Sequence, residues 1–334
     1  MGKLGTEDLK KLLSCIKRDP RVIVPPMPGF DSGVHALNHE KYLVVSTDPC
    51  IGVPEEWFGW LLIHYAASDV ALFGAKPEFC TISLLGPPQT KPEIFCGIMK
   101  QTCKAADDLG IAIVTGHTGT YEGLSNPVGV CTAYGTVNKD KLITPDRARP
   151  GDCILCTKPI GLEIAVNFAV MHEKLARQLF GIKRTRELSK LVSMQSCVKE
   201  ALMLADAGGV HALHDATEGG LTASLNEMAE ASNVGFKVDA ENIPIPREAY
   251  LLQKQFNLSY EELLSMSSTG TILAAIEPTK KDKILKISHK NGIDSKILGI
   301  FTKNTQHVLL KNGKERLFPQ KAYDPYERIL SGKV

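Results

Sequence analysis

The stretch Val210-His211-Ala212-Leu213-His214-Asp215-Ala216-Thr217-Glu218-Gly219-Gly220-Leu221 decides how the chain is read. A short apolar run ends in His214-Asp215, and a polar turn with two glycines follows. Leu221, Leu225, Met228 and Ala229 then recur at the spacing of one helix face. The expected local structure is strand, acidic turn, Gly-Gly, helix. Glycines there let backbone approach an anion, and the first N–H groups of the helix carry partial positive charge. An aspartate beside such a cradle is unfavourable unless a cation lies between it and the anion, so a metal-bridged phosphate site is one reading. An ordinary acidic N-cap turn, with glycines serving packing, is the other.

The 334 residues suit two domains of ordinary size. With 43% apolar and 23% charged residues, the chain can bury real cores. The 39 basic and 37 acidic residues leave a formal charge of +2, which gives no electrostatic case for nucleic acid or a membrane surface. No apolar run is long enough to span a bilayer, and Met1–Asp8 has no signal-peptide core, so a cytoplasmic protein is expected. The nine cysteines are odd in number and irregular in spacing, which argues against a disulfide framework. Cys153-Ile154-Leu155-Cys156 lies in a run that reads as a buried strand, so its CxxC spacing is taken as small buried thiols.

In chain order, helices are expected at Thr6–Lys17, Trp57–Phe73 and Pro92–Leu109, with strands at Tyr42–Ser46, Phe79–Leu85, Ile111–Val114 and Val128–Val137. The strand ending at Val114 should empty into a loop, Thr115-Gly116-His117-Thr118-Gly119-Thr120. Asn138–Gly151, polar and with Pro145 and Pro150 bracketing Asp146 to Arg149, reads as the boundary, residues 141–149 being a linker between a domain of residues 1–140 and one of residues 150–334. In the second part, helices are expected from Gly161 to about Phe180 with a bend, at Ser189–Ala205, after Gly220, at Glu261–Met266 and at Lys280–Lys290. Strands are expected at Cys153–Thr157, Thr271–Ile276, Ile297–Phe301 and Val308–Leu310, the last followed by an Asn312-Gly313 turn. The alternation indicates an α/β or α+β protein.

Asp69 falls on the apolar stripe of its helix, where a carboxylate is costly unless paired or bound to metal. Asp31, Asp48 and Asp215 likewise close apolar elements or sit in Gly-rich turns. Together the four offer hard oxygen ligands suited to magnesium on nucleotide phosphates. The chain has no GxxxxGK[ST] loop, no GxGxxG and no kinase signature, so carboxylates and metal would have to hold the phosphates of any bound ATP. His211 and His214 are spaced HxxH, but strand alternation puts them on opposite faces, against zinc. Cys50, just after Asp48, reads as a buried structural cysteine.

The order of these motifs resembles the aminoimidazole ribonucleotide (AIR) synthase superfamily and, within it, the hydrogenase maturation factors of the HypE kind. The resemblance runs from about Gly29 to Phe301. It rests on Ser46-Thr47-Asp48, Asp69 to Pro77, Ile113 to Thr118, Arg149-Pro150-Gly151-Asp152, His214 to Leu221, and Leu225-Asn226-Glu227. It implies two α/β domains, the amino-terminal ones of two chains pairing into a dimeric β-barrel and the second forming an α/β sandwich, with ATP and Mg2+ held between the domains. By position, Asp31, Asp48, Asp69 and Asp215 match the metal and phosphate ligands. Thr47 and the loop Thr115, Gly116, His117, Thr118 match nucleotide neighbours, and Gly219 and Gly220 match the turn close to the phosphates.

The resemblance further implies a homodimer, an unidentified second substrate and a protein partner in a maturation complex. The implied chemistry is ATP-dependent phosphorylation of an amide- or carbonyl-type oxygen, activating it for dehydration or ring closure, with Asp48, Asp69, His117 and Asp215 at the reacting groups. Two alternatives stay open: phosphotransfer of the selenophosphate synthetase or thiamine-phosphate kinase type, and a nucleotide-binding assembly factor without catalysis. The chain departs from the HypE pattern in four places. Phe30-Asp31 stands for a double aspartate, His117 for an aspartate and Glu218 for an arginine, and no cysteine follows Cys197 where HypE ends in a reactive thiol. Substrate specificity is expected in loops at Pro244–Gln255 and Ser265–Gly270.

Overall fold

The computed structural model describes residues 4–332, so the extreme ends of both terminal stretches read above lie outside the described residues. The helices are α1 (Thr6–Leu13), α2 (Phe58–Leu72), α3 (Pro92–Leu109), α4 (Leu162–Met171), α5 (Glu173–Phe180), α6 (Ile182–Leu188), α7 (Val198–Ala207), α8 (Gly220–Ser232), α9 (Arg247–Gln255), α10 (Tyr260–Leu264), α11 (Lys281–Lys290) and α12 (Tyr326–Leu330). The strands are β1 (Val22–Val24), β2 (Gly33–Ala36), β3 (Lys41–Cys50), β4 (Phe79–Gly86), β5 (Ala112–Thr120), β6 (Val128–Asn138), β7 (Cys153–Cys156), β8 (Val210–Asp215), β9 (Gly235–Asp239), β10 (Ile272–Ile276), β11 (Lys296–Thr302), β12 (His307–Lys311) and β13 (Lys314–Leu317).

The chain divides into two compact units, one of Leu13–Leu142 and one of the described residues from Ile143 onward together with those up to Leu12.

In the first unit a six-stranded sheet runs β1-β2-β3-β6-β4-β5. Its pairs are antiparallel except for β4 and β5, which are parallel. Helix α2 is apolar all round and buried almost throughout, and it packs on β3 and β6. The approach is close: a Cβ on Gly129 of β6 would meet Leu62 and Phe58 at 2.9 Å. Among the described residues of this unit no helix layer lies on the opposite face, and β4 and β6 alternate between buried and half-exposed positions. The sheet is open, and β5 forms one of its edges.

In the second unit a seven-stranded sheet runs β13-β12-β9-β11-β7-β10-β8, antiparallel except for β12 with β9. Central strands β7 and β10 are buried at every position, as expected for strands covered on both faces. Ile154, Leu273, Phe236, Phe301, Leu225 and Met228 are core members. Asn312 and Gly313 form the two-residue turn of the β12–β13 hairpin, both with positive φ (51° and 70°).

Three expectations are corrected. Thr115–Thr120 is no loop: β5 continues through it, pairing in parallel with Thr81–Gly86 after a register shift. Pro244–Gln255 is not a loop either, since Arg247–Gln255 forms α9 after Pro246, whose fixed φ suits a helix start. The helix expected at Ser189–Ala205 breaks into a short 3-10 turn, Val192–Gln195, and α7. The carbonyls of Met194 and Ser196 accept from the Lys158 ammonium at 3.1 and 2.7 Å instead of from the next helical turn. Among the described residues, no helix is long and apolar enough to cross a membrane.

Candidate functional site

Ser46 organises the acidic end of the first unit. It is a buried hydroxyl on the face of β3 that α2 covers. Asp69, one turn from the end of α2 and 6% exposed, accepts a hydrogen bond from Ser46 Oγ at 2.7 Å. The same hydroxyl lies 3.0 Å from the carbonyl oxygen of Asp31. The Phe30 ring meets Phe73 edge-on at 6.5 Å, tying the Asp31 segment to the end of α2. Asp48, two residues beyond Ser46, shares its face because strand side chains alternate. Burial pushes the Cys50 thiol up, and the neighbouring Asp48 charge adds to it. Cys50 is thus a protonated packing residue, as expected. The Asp31 backbone carbonyl and the Asp69 carboxylate therefore meet at the Ser46 hydroxyl, and Asp48 lies on the same face of β3.

Carboxylate oxygens are the kind of donor a divalent cation takes. The three side chains offer hard carboxylate oxygens, the ligand chemistry of magnesium. Beside them, Ser32 Oγ is 3% exposed and has no hydrogen-bond partner among the described residues.

The remaining candidates of this unit divide between the two faces of the sheet. Register aligns Thr47 with Thr132, Thr132 with Thr81, and Thr81 with Thr115. Four threonines thus form a row on the uncovered face, with Thr47 Oγ1 and Thr132 Oγ1 2.7 Å apart. Three strand spacings separate Thr47 from Thr115, about 14 Å. His117 shares that face, aligned with Ser83, and its Nε2 lies 2.6 Å from the Tyr121 hydroxyl. Gly116 and Thr118 align with Ile82 and Leu84, on the helix-covered face. The structure brings Gly116 and Thr118 to the side of Asp48. It places Thr47, Thr115 and His117 on the other.

In the second unit β8 ends at Asp215, which is 2% exposed. The Asp215 carbonyl accepts from Ser224 Oγ at 2.7 Å, which fixes the strand end to α8. His214 Nδ1 lies 2.8 Å from the same carbonyl, and its Nε2 lies 3.0 Å from Glu227 Oε2. His211 pairs instead with Asp152, at 2.9 Å. The two histidines thus serve different carboxylates from opposite faces of β8. Gly219 and Gly220 have φ of 81° and 52°, which L side chains rarely adopt. A Cβ on Gly220 would lie 2.3 Å from the Met266 carbonyl oxygen, so this turn admits no side chain.

Two acids near this turn escaped the sequence reading. Glu163, in the first turn of α4, accepts from the Thr269 N–H at 2.9 Å. Burial pushes its carboxyl up to about 7 against that hydrogen bond, and the charges of Asp324 and Glu218 add to the rise. Asp324 is also raised by burial, against donors from Gly219, Ser267 and Tyr326. The signal for Glu163 was present: it interrupts Leu162-Glu163-Ile164-Ala165-Val166, an otherwise apolar run. Nothing local marked Asp324.

Comparison with known proteins adds lineage to this geometry. Residues 29–137 match the family model "AIR synthase related protein, N-terminal domain", and residues 149–311 match its C-terminal domain counterpart. The chain belongs to the AIR synthase related proteins. It is similar to the carbamoyl dehydratase HypE of Rhizobium leguminosarum bv. viciae, with 30% identity over 250 residues, covering 72% of this chain and 67% of that one. It is similar also to the selenide, water dikinase of Carboxydothermus hydrogenoformans, with 25% identity over 341 residues, covering 93% and 95%. The hydrogenase maturation protein HypE solved in complex with ATP shares the fold, with a TM-score of 0.69 and 21% identity over 88% of this chain and 89% of that one. The match to both family domains accounts for the two mixed sheets and their covering helices.

Proposed function

We propose that the chain is an ATP- and Mg2+-dependent enzyme that phosphorylates an amide- or carbonyl-type oxygen of a second substrate, preparing that oxygen to leave in a dehydration or ring closure. The observation that supports the reading is the Asp69 carboxylate held by Ser46 beside the Asp31 segment, with Asp48 on the same strand face, within a chain of this family. Magnesium bound there would neutralise charge on a transferring phosphoryl group. The chain's own contribution is positional. Ser46 holds the Asp69 carboxylate in one orientation, Asp48 presents its carboxylate from a strand rather than a loop, and Gly116 and Thr118 border the same face. Asp215 is assigned a metal-ligand role at the end of β8. Thr47, Thr115 and His117, on the uncovered face, take no part in this grip.

Calorimetry with a non-hydrolysable ATP analogue tests the reading. Binding should require Mg2+, and the absence of Mg2+-dependent binding would overturn it. The likeness to a selenide, water dikinase over 93% of the chain favours a second reading, outright phosphotransfer to an acceptor. 31P NMR on a turning-over reaction separates the two, because transfer leaves a stable phosphorylated product and activation releases free phosphate.

We also infer that two copies pair through the uncovered face of the first sheet. Phe79 on that face is 43% exposed and stacks on Tyr134 at 5.6 Å, and edge strand β5 is exposed along most of its length. Light scattering should give twice the mass of the chain.

A further inference from the structure

The Gly219–Gly220 turn, expected to cradle an anion, is filled by the chain itself. After β13 the chain is anchored at Phe318, which is buried, and Asn226 Nδ2 donates to the Pro319 carbonyl at 2.8 Å. Gln320 to Tyr323 are exposed as the segment crosses the turn, with Ala322 so close that a Cβ on Gly219 would approach its methyl to 2.9 Å. Asp324 then turns inward. Its Oδ2 accepts from the Gly219 N–H at 2.9 Å and from the Ser267 hydroxyl at 2.7 Å, and its Oδ1 from the Tyr326 N–H at 3.0 Å. The Ser267 N–H lies 3.4 Å from Oδ1. Beyond it α12 is anchored again, by Asn167 Nδ2 on the Tyr326 hydroxyl at 3.2 Å, His172 Nε2 on the Leu330 carbonyl at 2.7 Å, and Arg328 with Glu262 at 3.3 Å.

The segment is thus a strap fixed at both ends, and its one inward carboxylate sits on the N–H that opens α8. Carboxylate and phosphoryl oxygens are equivalent acceptors for such an N–H. Burial works against the charge on Asp324, and the four donors around it hold the carboxylate in place. We propose that Asp324 is an internal stand-in for a phosphoryl oxygen, and that residues 319–324 must lift from the Gly219 turn before that turn takes a phosphate. Both anchors, Phe318 and α12, can stay packed while the exposed stretch lifts. A protein whose binding-competent form is held back by its own strap binds ligand more weakly by the competent fraction. The inference rests on the ATP-using function proposed above.

The test uses the full chain as wild type, Asp324→Ala and Asp324→Asn, titrated with Mg2+ and a non-hydrolysable ATP analogue. Amide hydrogen exchange of residues 217–222 and 319–330 is followed in parallel. Asp324→Ala should bind the nucleotide about tenfold more tightly, equivalent to about 1.4 kcal/mol. Asp324→Asn, whose uncharged oxygen still accepts from Gly219, should fall between. In both variants without nucleotide, exchange of the Gly219 N–H and of the strap should speed up. Equal or weaker nucleotide binding by both variants, with wild type binding normally, overturns the strap, because the carboxylate would then belong to the grip on the ligand. Absence of binding by all three overturns the ATP-using function instead. In that event unchanged exchange in the variants overturns the strap independently, as it would under any outcome of the titration.

Discussion

Replacing Glu163 with Gln should make the protein more stable, and only at neutral and alkaline pH. The side chain is 5% exposed, and burial lifts its carboxyl from 4.5 to about 7. A carboxyl raised on folding gives a native state that holds its proton more tightly than the unfolded chain does. Its contribution is therefore fully present below pH 4.5, where both states are protonated, and is lost as pH rises through about 7. A rise of about 2.5 pH units, at about 1.4 kcal/mol each, sets an upper figure of about 3.5 kcal/mol at pH 8. Glutamine keeps an oxygen for the Thr269 N–H, so the hydrogen bond survives while the charge and its repulsion by Asp324 and Glu218 disappear. Urea unfolding of both proteins at pH 5 and pH 8 measures the effect. The variant should gain about 2–3 kcal/mol at pH 8 and much less at pH 5. An equal change at both pH values, or none at pH 8, would refute the claim that Glu163 is charged at a cost in the native state.

Asp69→Asn should weaken Mg2+-dependent nucleotide binding by about tenfold or more, since an amide is a poor ligand for a hard cation; unaltered affinity in calorimetry would remove Asp69 from the metal site. Gly220→Ala should cost about 1–3 kcal/mol in urea unfolding, because it forces a methyl toward the Met266 carbonyl at a φ of 52°. Lys158→Met should lower stability by about 3–5 kcal/mol, leaving the buried Glu200 carboxylate, now paired at 2.9 Å, without its cation; a thermal melt within error of wild type would contradict this.

Much of the fold was legible because burial imposes periodicity. Helix α2 and strands β4, β6 and β10 were found within a residue or two, and Asp69 stood out as a carboxylate on an apolar stripe. The misreadings share a physical origin. Thr115–Thr120 is rich in glycine and threonine and mostly exposed, so nothing in it reads as a half-buried strand. Its strand character comes from β4, which supplies the parallel hydrogen bonds, and from Gly116, where a Cβ would lie 2.3 Å from the Ile82 carbonyl oxygen. The break before α7 is likewise set from outside, by an ammonium 36 and 38 residues upstream that captures two carbonyls. Glu163 and Asp324 meet their partners across 106 and 105 residues, a distance over which no local pattern carries information.

The candidate site shows the same division more sharply. Thr47 and Asp48 are neighbours in sequence and look like one motif, yet a strand sends consecutive side chains to opposite faces. Asp48 shares the covered face with Ser46, while Thr47 faces Thr132 across the uncovered one. Likewise, Thr115 and His117 fall on one side of β5, and Gly116 and Thr118 on the other. A motif copied whole from a family pattern therefore mixes two sets of groups. One set is proposed to grip a cation beside α2, and the other is proposed to face a second copy of the chain. This separation makes opposite predictions for adjacent residues. Asp48→Asn should weaken Mg2+-dependent nucleotide binding in the monomer and dimer alike, whereas Thr47→Val, which removes the hydroxyl paired with Thr132, should leave that binding unchanged and alter the mass measured by light scattering. Loss of nucleotide binding in Thr47→Val would mean that the two faces of the sheet do not do separate work.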